Sequence, residues 1–435
     1  MNRRILRLAV PNIISNITVP LLGMVDLALM GHLENKVYIG AVALGSMIFN
    51  FIYWGFGFLR MSTSGFVAQA LGRRNFPEVM LNLARPLAVA MSAGIALLLM
   101  QIPIAALAFR IIESSGEVEV LARQYFHIRI YAAPATISLY VFSGWFIGMQ
   151  NTRTPMVIAI AVNLLNIGFS LLFVRGMGMA AAGVAMGTVI AQYLGILLAI
   201  ISLRRYYGRL FRYFDRLRVL EPAALWRFFH VNKDILIRTL CLILALSFFT
   251  AKSAGMGDTP LAVNSLLLQY FMFFSFFIDG YAHAAEALTG RFIGAQNRES
   301  LQRAIRLLFL WGAGVSAIYT LAYLAGGEGI LRLLTSNAEL IDAAQPYLFW
   351  PVLVPLVSFS AFLLDGIFIG ATASAAMRNS MLISVALIYF PAYYLLLPYL
   401  GNHALWLALI LLLGARGITL GLMLKKSVLS QLQKP

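Results

Sequence analysis

The sequence predicts an all-α integral membrane protein: twelve transmembrane helices in two pseudo-symmetric six-helix lobes. Three observations carry this expectation. The 435 residues are 61% hydrophobic and only 11% charged, whereas a soluble chain carries about 25% charged residues, so most of the surface must face lipid. Twelve apolar runs reach the roughly 17–25 residues that a spanning helix needs; they lie near 8–31, 37–60, 83–110, 125–150, 154–174, 177–203, 232–256, 261–287, 303–326, 345–370, 378–398 and 402–424. Finally, the chain repeats itself: Gly144-Trp-Phe-Ile-Gly148 recurs as Gly366-Ile-Phe-Ile-Gly370, an offset of 222 at which Tyr125 falls on Tyr347, Gly72 on Gly294 and Asn75 on Asn297.

The repeat divides the chain into an N-lobe, 1–203, and a C-lobe, 228–435, joined by the basic stretch RRYYGRLFRYFDRLRVLEPAALWR at 204–227, which is expected to lie along the membrane surface. Six spans per half is an even number, so the halves run parallel about an axis along the membrane normal. That architecture is typical of secondary transporters with a substrate site near the midplane. Charge gives the orientation. The formal net charge is +16, and the basic residues alternate between loops, 25 on the side of the termini, 7 on the other and Arg60 near a helix end. This places both termini in the cytoplasm, as an even number of spans also requires. A topology signal accounts for the basic balance, so nucleic-acid binding is not expected. The single cysteine, Cys241, allows no internal disulfide. The opening MNRRILRLAV resembles a signal peptide, but its apolar run continues to Gly31 without a small-x-small cleavage site and reads as a retained first span.

Polar residues inside the spans mark candidate sites. The first span carries Asp26 in PLLGMVDLALMGH, where a carboxylate costs roughly 2.5–3.5 kcal/mol even on insertion scales. Helical spacing puts Asn12, Ser15, Asn16, Gly23 and Asp26 on one stripe. Pro11 and Pro20 each remove a backbone hydrogen bond and permit bending there. A carboxyl withdrawn from water favours its neutral form, which makes Asp26 a candidate protonation switch; helix packing alone is the plainer alternative. In the fifth span Asn163, Asn166 and Ser170 share a face, and Asn amides can bond a carboxyl in either protonation state. Thr188 and Gln192 repeat this signal more weakly in the sixth. The eighth span sets Asp279, His283 and Glu286 on one face, readable as a proton relay or cation site, with Glu286 alternatively solvated near Arg291. One Cys and no second His nearby leave little support for a metal. Asp365 stands alone in FLLDGIFIG of the tenth span, as an ion site or a packing residue. Lys252 and Arg416 read as interfacial or paired to an acid. Aromatics in the second and eighth spans, Phe49 and Tyr270 among them, mostly pack, although some could face a flat lipophilic cation. Phosphate-loop and hydrolase signatures are absent, and Asp-Gly at 279 and 365 is weak support for a protease dyad, so no enzyme is expected.

With these residues in view, several segments resemble the multidrug and toxic compound extrusion (MATE) family, in particular its DinF-like branch. They are PNIISNITVPLLGMVDLALMGHL, FLRMSTSGFVAQALGRRN, IDGYAHAAEALTG, LLDGIFIGATASAAMRNSM and GNHALWLAL. The resemblance spans nearly the whole chain. It implies a V-shaped, two-lobed fold and an antiporter that exports drugs or toxic organic cations against inward H⁺ or Na⁺, with no cofactor. It also implies that Asp26 is the N-lobe proton site and that Pro11 takes part in helix bending. The family's Asn-x-x-Asn-x-x-x-Asp reads here Asn163-x-x-Asn166-x-x-x-Ser170. With Ser170 in place of the acid, one carboxylate is left, which argues for H⁺ over Na⁺, a cation that wants several hard oxygens. Asp365 resembles an acidic position that is a cation site in the family's other branch. The expectation is a proton-coupled multidrug antiporter, monomeric, in the bacterial inner membrane among its lipids. The alternatives are Na⁺ coupling or a lipid-linked oligosaccharide flippase of a related branch. A flippase needs basic cavity groups for pyrophosphate, whereas the intramembrane ionisable residues are mainly acidic.

Overall fold

The computed structural model describes residues 1–31, 37–112 and 116–432 and, in the first helix, the side chains other than Val19, Leu21, Leu22, Met24, Asp26, Leu27, Ala28 and Met30. Every regular element among the described residues is helical. Eleven helical stretches are long and apolar enough to cross a membrane; the first predicted span forms a further helix, α1, Asn2–Gly31, of 30 residues. The helices overrun the apolar runs at their polar ends. Thus the run at 261–287 lies within α11, Asp258–Gly294, and that at 303–326 within α12, Arg298–Leu334. An intrahelical hydrogen bond costs little where a polar side chain can reach water, so hydropathy locates the lipid-facing centre of a helix better than its ends.

By packing, the chain forms two compact units. One is Ile14–Trp226; the other joins Met1–Ile13 to Arg227–Pro435. The division falls inside α1, two residues past Pro11. The start of α1 belongs with the second unit because Gly280 of α11 lets it approach: a Cβ at Gly280 would lie 3.0 Å from the carbonyl oxygen of Ala9 and closer still to Ile13.

The first unit contains α2 (Val37–Gly55), α3 (Gly57–Gly72), α4 (Phe76–Leu99), α5 (Gln101–Ile111), α6 (Gly116–Arg129), α7 (Ala133–Gly148), α8 (Arg153–Leu171) and α9 (Ala180–Tyr207). The second contains α10 (Pro222–Gly255), α11, α12, α13 (Ala338–Ala344), α14 (Phe349–Gly370), α15 (Ser374–Ile383), α16 (Phe390–Leu400) and α17 (Asn402–Ser427). The basic stretch between the lobes is partly helical. α9 runs to Tyr207, a 3₁₀ segment follows to Tyr213, and α10 begins at Pro222. Its loop is tied to α4 by Arg85, whose guanidinium donates to the carbonyls of Val219 and Arg218 at 3.3 and 3.0 Å and pairs with Glu78 at 2.7 Å.

The repeat seen in the sequence recurs in the backbone. Arg74 and Gln296, 222 residues apart, have φ near +57° and +53°; Gln150 and Thr372, at the same offset, have +61° and +52°. These are left-handed turns that non-glycine residues enter rarely. Asn75 caps α4 by accepting from the backbone N–H of Glu78 at 3.1 Å, and Asn297 caps α12 by accepting from Ser300 at 2.8 Å. The paired glycines also gain a reason. A Cβ at Gly144 would sit 2.3 Å from the carbonyl oxygen of Arg60, and one at Gly366 2.1 Å from that of Ala282, so α3 meets α7, and α11 meets α14, backbone to backbone. This is the small-xxx-small packing of membrane helices, where contact rather than hydrophobicity drives association.

Candidate functional site

In the first unit, α8 and α9 carry the predicted polar face. Asn166, Ser170 and Thr188 are all buried. Asn166 donates through Nδ2 to the Thr188 hydroxyl at 2.9 Å and accepts through Oδ1 from Ser170 at 3.5 Å; Thr188 in turn donates to the Val184 carbonyl at 2.9 Å. The arrangement depends on Gly187, where a Cβ would lie 2.8 Å from both the amide nitrogen and the hydroxyl of Ser170. Asn163, one turn away, donates to the Thr18 carbonyl of α1 at 3.2 Å. The α8 face therefore reaches the first helix through its backbone, and Thr18, whose hydroxyl bonds Ser15 O at 2.8 Å, is a partner that sequence spacing did not single out. Immediately past Ser170 the helix widens to a π turn over Leu172–Gly176, a feature common at functional sites. Gln192 is half-buried on α9. No carboxylate takes part in the bonds of Asn163, Asn166, Ser170 and Thr188 among the described side chains.

α1 is helical through both Pro11 and Pro20, and Asp26 lies in its last two turns. The Asp26 side chain lies outside the described residues. The predicted stripe is distributed between the units: Asn12 is buried in the second and donates to Leu8 O at 2.9 Å, whereas Asn16 and an exposed Gly23 belong to the first. Asn12 thus has its amide donor engaged by its own helix.

The second unit holds the surprise. Asp365 of α14 is buried and accepts from two guanidiniums, Arg238 of α10 and Arg416 of α17. Of the two readings open for Asp365, ion site or packing residue, this arrangement favours the second: a carboxylate compensated by two cations. Arg416, expected near an interface or an acid, is paired at 3% exposure, and Arg238 is buried as well. Neither is a loop charge, although the loop asymmetry survives without them. Asp279, half-buried on α11, lies within electrostatic reach of Arg416. Glu286 is not solvated near Arg291: it is fully buried, with its backbone against Gly370. His283 is half-buried one turn earlier. No group of three His, Cys, Asp or Glu residues suited to a metal occurs among the described residues.

Two further polar clusters went unseen in the sequence. Asp234 of α10, fully buried, accepts from Arg378 at 2.5 Å and from Ser374 at 3.0 Å. Asn264 bridges Ser253, Asn402 and Trp406 at 2.7–2.9 Å. Each joins helices distant in sequence, so spacing along any one of them gives no signal. The aromatics mostly pack: Phe49 stacks on Phe126 and lies under Arg129, and Tyr270 packs on Tyr323, while Phe51 and Trp54 point outward.

Duplicated sets of membrane-length helices with buried polar faces and paired charges define a multi-pass membrane protein. The MatE family model matches the chain twice, over residues 11–172 and 235–395, and the chain belongs to that family. DNA damage-inducible protein F of Escherichia coli is 39% identical over 413 residues, covering 95% of this chain and 90% of that protein. Multidrug resistance protein NorM of Vibrio cholerae is 24% identical, covering 96% and 93%. Among solved structures, a MATE protein in the bent conformation superposes with a TM-score of 0.88 at 19% identity, covering 99% of this chain and 96% of that one, and one in the straight conformation gives 0.83 at 20%, covering 98% and 96%. The chain is thus a transporter of the MATE family and not an enzyme.

Proposed function

We propose that the chain is a secondary antiporter that exports lipophilic organic cations in exchange for inward protons. It acts as a monomer in the bacterial inner membrane with both termini in the cytoplasm. Asp26 carries the proton. With Asp26 ionised, the first unit accommodates a cationic drug; protonation removes the charge, Asn163 and Asn166 rebond the neutral acid, α1 bends near Pro11, and the drug is displaced outward. A proton can drive the change only if the two conformations hold it with different affinity, each tenfold difference being worth about 1.4 kcal/mol. The observation that carries the reading is the Asn166–Thr188–Ser170 network. It can donate and accept but brings no second carboxylate to the α8 face, which suits a proton better than Na⁺. Likeness to the multidrug resistance protein NorM supports drugs as the cargo. The test is efflux of a fluorescent organic cation from proteoliposomes under an imposed ΔpH or an imposed ΔNa⁺. Efflux under ΔpH alone is expected; efflux under ΔNa⁺ alone contradicts the proposal.

A further inference from the structure

A cleft of about 490 Å³ opens on the second unit between α12, α14 and the end of α17. One wall is a single face of α12: Gln302, Ile305, Arg306, Phe309, Leu310 and Ala313 follow i, i+3, i+4 spacing. The opposite wall is Phe359, whose ring meets Phe309 edge-on at 6.2 Å between centroids, with Leu424 and Leu429. Apolar side chains line the cleft except at one end, where Gln302 and Arg306 stand. That end is strongly basic. Arg298 and Arg303 lie in the same opening turns of α12, and Lys425 and Lys426 directly follow Leu424, against a single acid, Glu299. No carboxylate lines the cleft, and Arg306 takes part in none of the ion pairs among the described residues.

An apolar trough capped by an uncompensated guanidinium fits a molecule with a hydrocarbon tail and an anionic head. It fits the transported class poorly, because a lipophilic cation would meet Arg306 without a counter-charge. From this geometry we infer that the cleft is a binding site for an anionic phospholipid, its acyl chain along Phe309, Ala313 and Phe359 and its phosphate on Arg306. Charge complementarity at the mouth selects the headgroup, and the apolar face of α12 provides affinity common to all lipids. A guanidinium also donates two parallel hydrogen bonds to a phosphate, which a point charge cannot. The site is separate from the polar face of α8 and does not depend on the coupling ion.

The experiment is native mass spectrometry of the purified full chain. The chain is titrated with phosphatidylglycerol and with phosphatidylcholine of identical palmitoyl-oleoyl chains. The wild type is expected to retain phosphatidylglycerol at least fivefold more tightly, the contribution of about one basic residue at a membrane surface. Arg306→Gln lowers phosphatidylglycerol retention about fivefold and leaves phosphatidylcholine unchanged, and Arg306→Lys recovers part of the loss. Ala313→Trp, which fills the trough, weakens both lipids. The exposed Arg306 variants are expected to melt with the wild type, so a failure to fold is separable from a loss of lipid. Equal retention of the two lipids by the wild type, or an unchanged preference in Arg306→Gln, overturns the assignment. Displacement of phosphatidylglycerol by tetraphenylphosphonium in the wild type but not in Ala313→Trp also overturns it, because the trough would then hold the cation instead.

Discussion

Replacing Asp365 by Asn leaves Arg238 and Arg416 facing one another across a carboxamide. In the structure their side chains are 10% and 3% exposed and that of Asp365 is 9% exposed, so water cannot dissipate the excess charge. Removing one partner of a buried ion pair costs about 3–5 kcal/mol, because the charge left behind keeps its desolvation cost without its compensation. Asp279, within electrostatic reach of Arg416, offsets part of this, so a loss of about 3 kcal/mol is expected for Asp365→Asn. Replacing the whole triad with apolar residues of similar volume, as in Arg238→Met, Asp365→Leu and Arg416→Met together, should recover most of that stability, since neither the desolvation cost nor the attraction then remains. The assay is equilibrium unfolding in mixed micelles titrated with SDS, with transport measured in parallel. If Asp365→Asn unfolds within about 1 kcal/mol of wild type yet loses cation-dependent transport, Asp365 is an ion site and the clamp reasoning is wrong.

Other consequences can be checked as readily. Gly366→Ala forces a Cβ to within 2.1 Å of the Ala282 carbonyl and is expected to destabilise by about 1–3 kcal/mol or more; Gly144→Ala, its counterpart in the repeat, should do the same in a thermal-melt comparison, whereas Gly314→Ala, with nothing within 4 Å, should be neutral. Ser170→Asp restores a second acid beside Asn166 and should introduce Na⁺-stimulated efflux, measured in sodium-jump proteoliposomes. Asn166→Leu breaks the bond to Thr188 and should lower ΔpH-driven efflux at least tenfold while the protein still purifies as a folded monomer.

The membrane-length helical stretches and the duplication were legible because both rest on local signals: apolar runs of a length set by the bilayer, and identities at one fixed offset. The polar face of α8 was legible for the same reason, its residues sharing one helix at i, i+3 and i+7. What escaped were bonds between helices. Asp365 alone in an apolar run looks the same whether it awaits a cation or already holds two guanidiniums, and Arg238 and Arg416, 127 and 51 residues away, gave spacing nothing to detect. Asp234 escaped for a related reason: it sits beside Lys233 at the polar edge of the 232–256 run, where nothing along α10 itself singles it out, yet it is fully buried against Arg378 and Ser374. Of the two readings of Glu286, the burial excludes solvation near Arg291, since proximity in sequence to that residue says nothing about the close approach that Gly370 permits. The division of α1 after Ile13 is invisible to hydropathy, although Pro11 marks where it falls.

The most direct test of the coupling proposal is ΔpH-driven efflux by Asp26→Asn, reconstituted beside the wild type. With the titrating carboxyl replaced by an amide, an inward-directed proton gradient should no longer accelerate efflux, while binding of the organic cation to the protein persists. Efflux by Asp26→Asn that rises with ΔpH as steeply as in the wild type would contradict the assignment of the proton to Asp26.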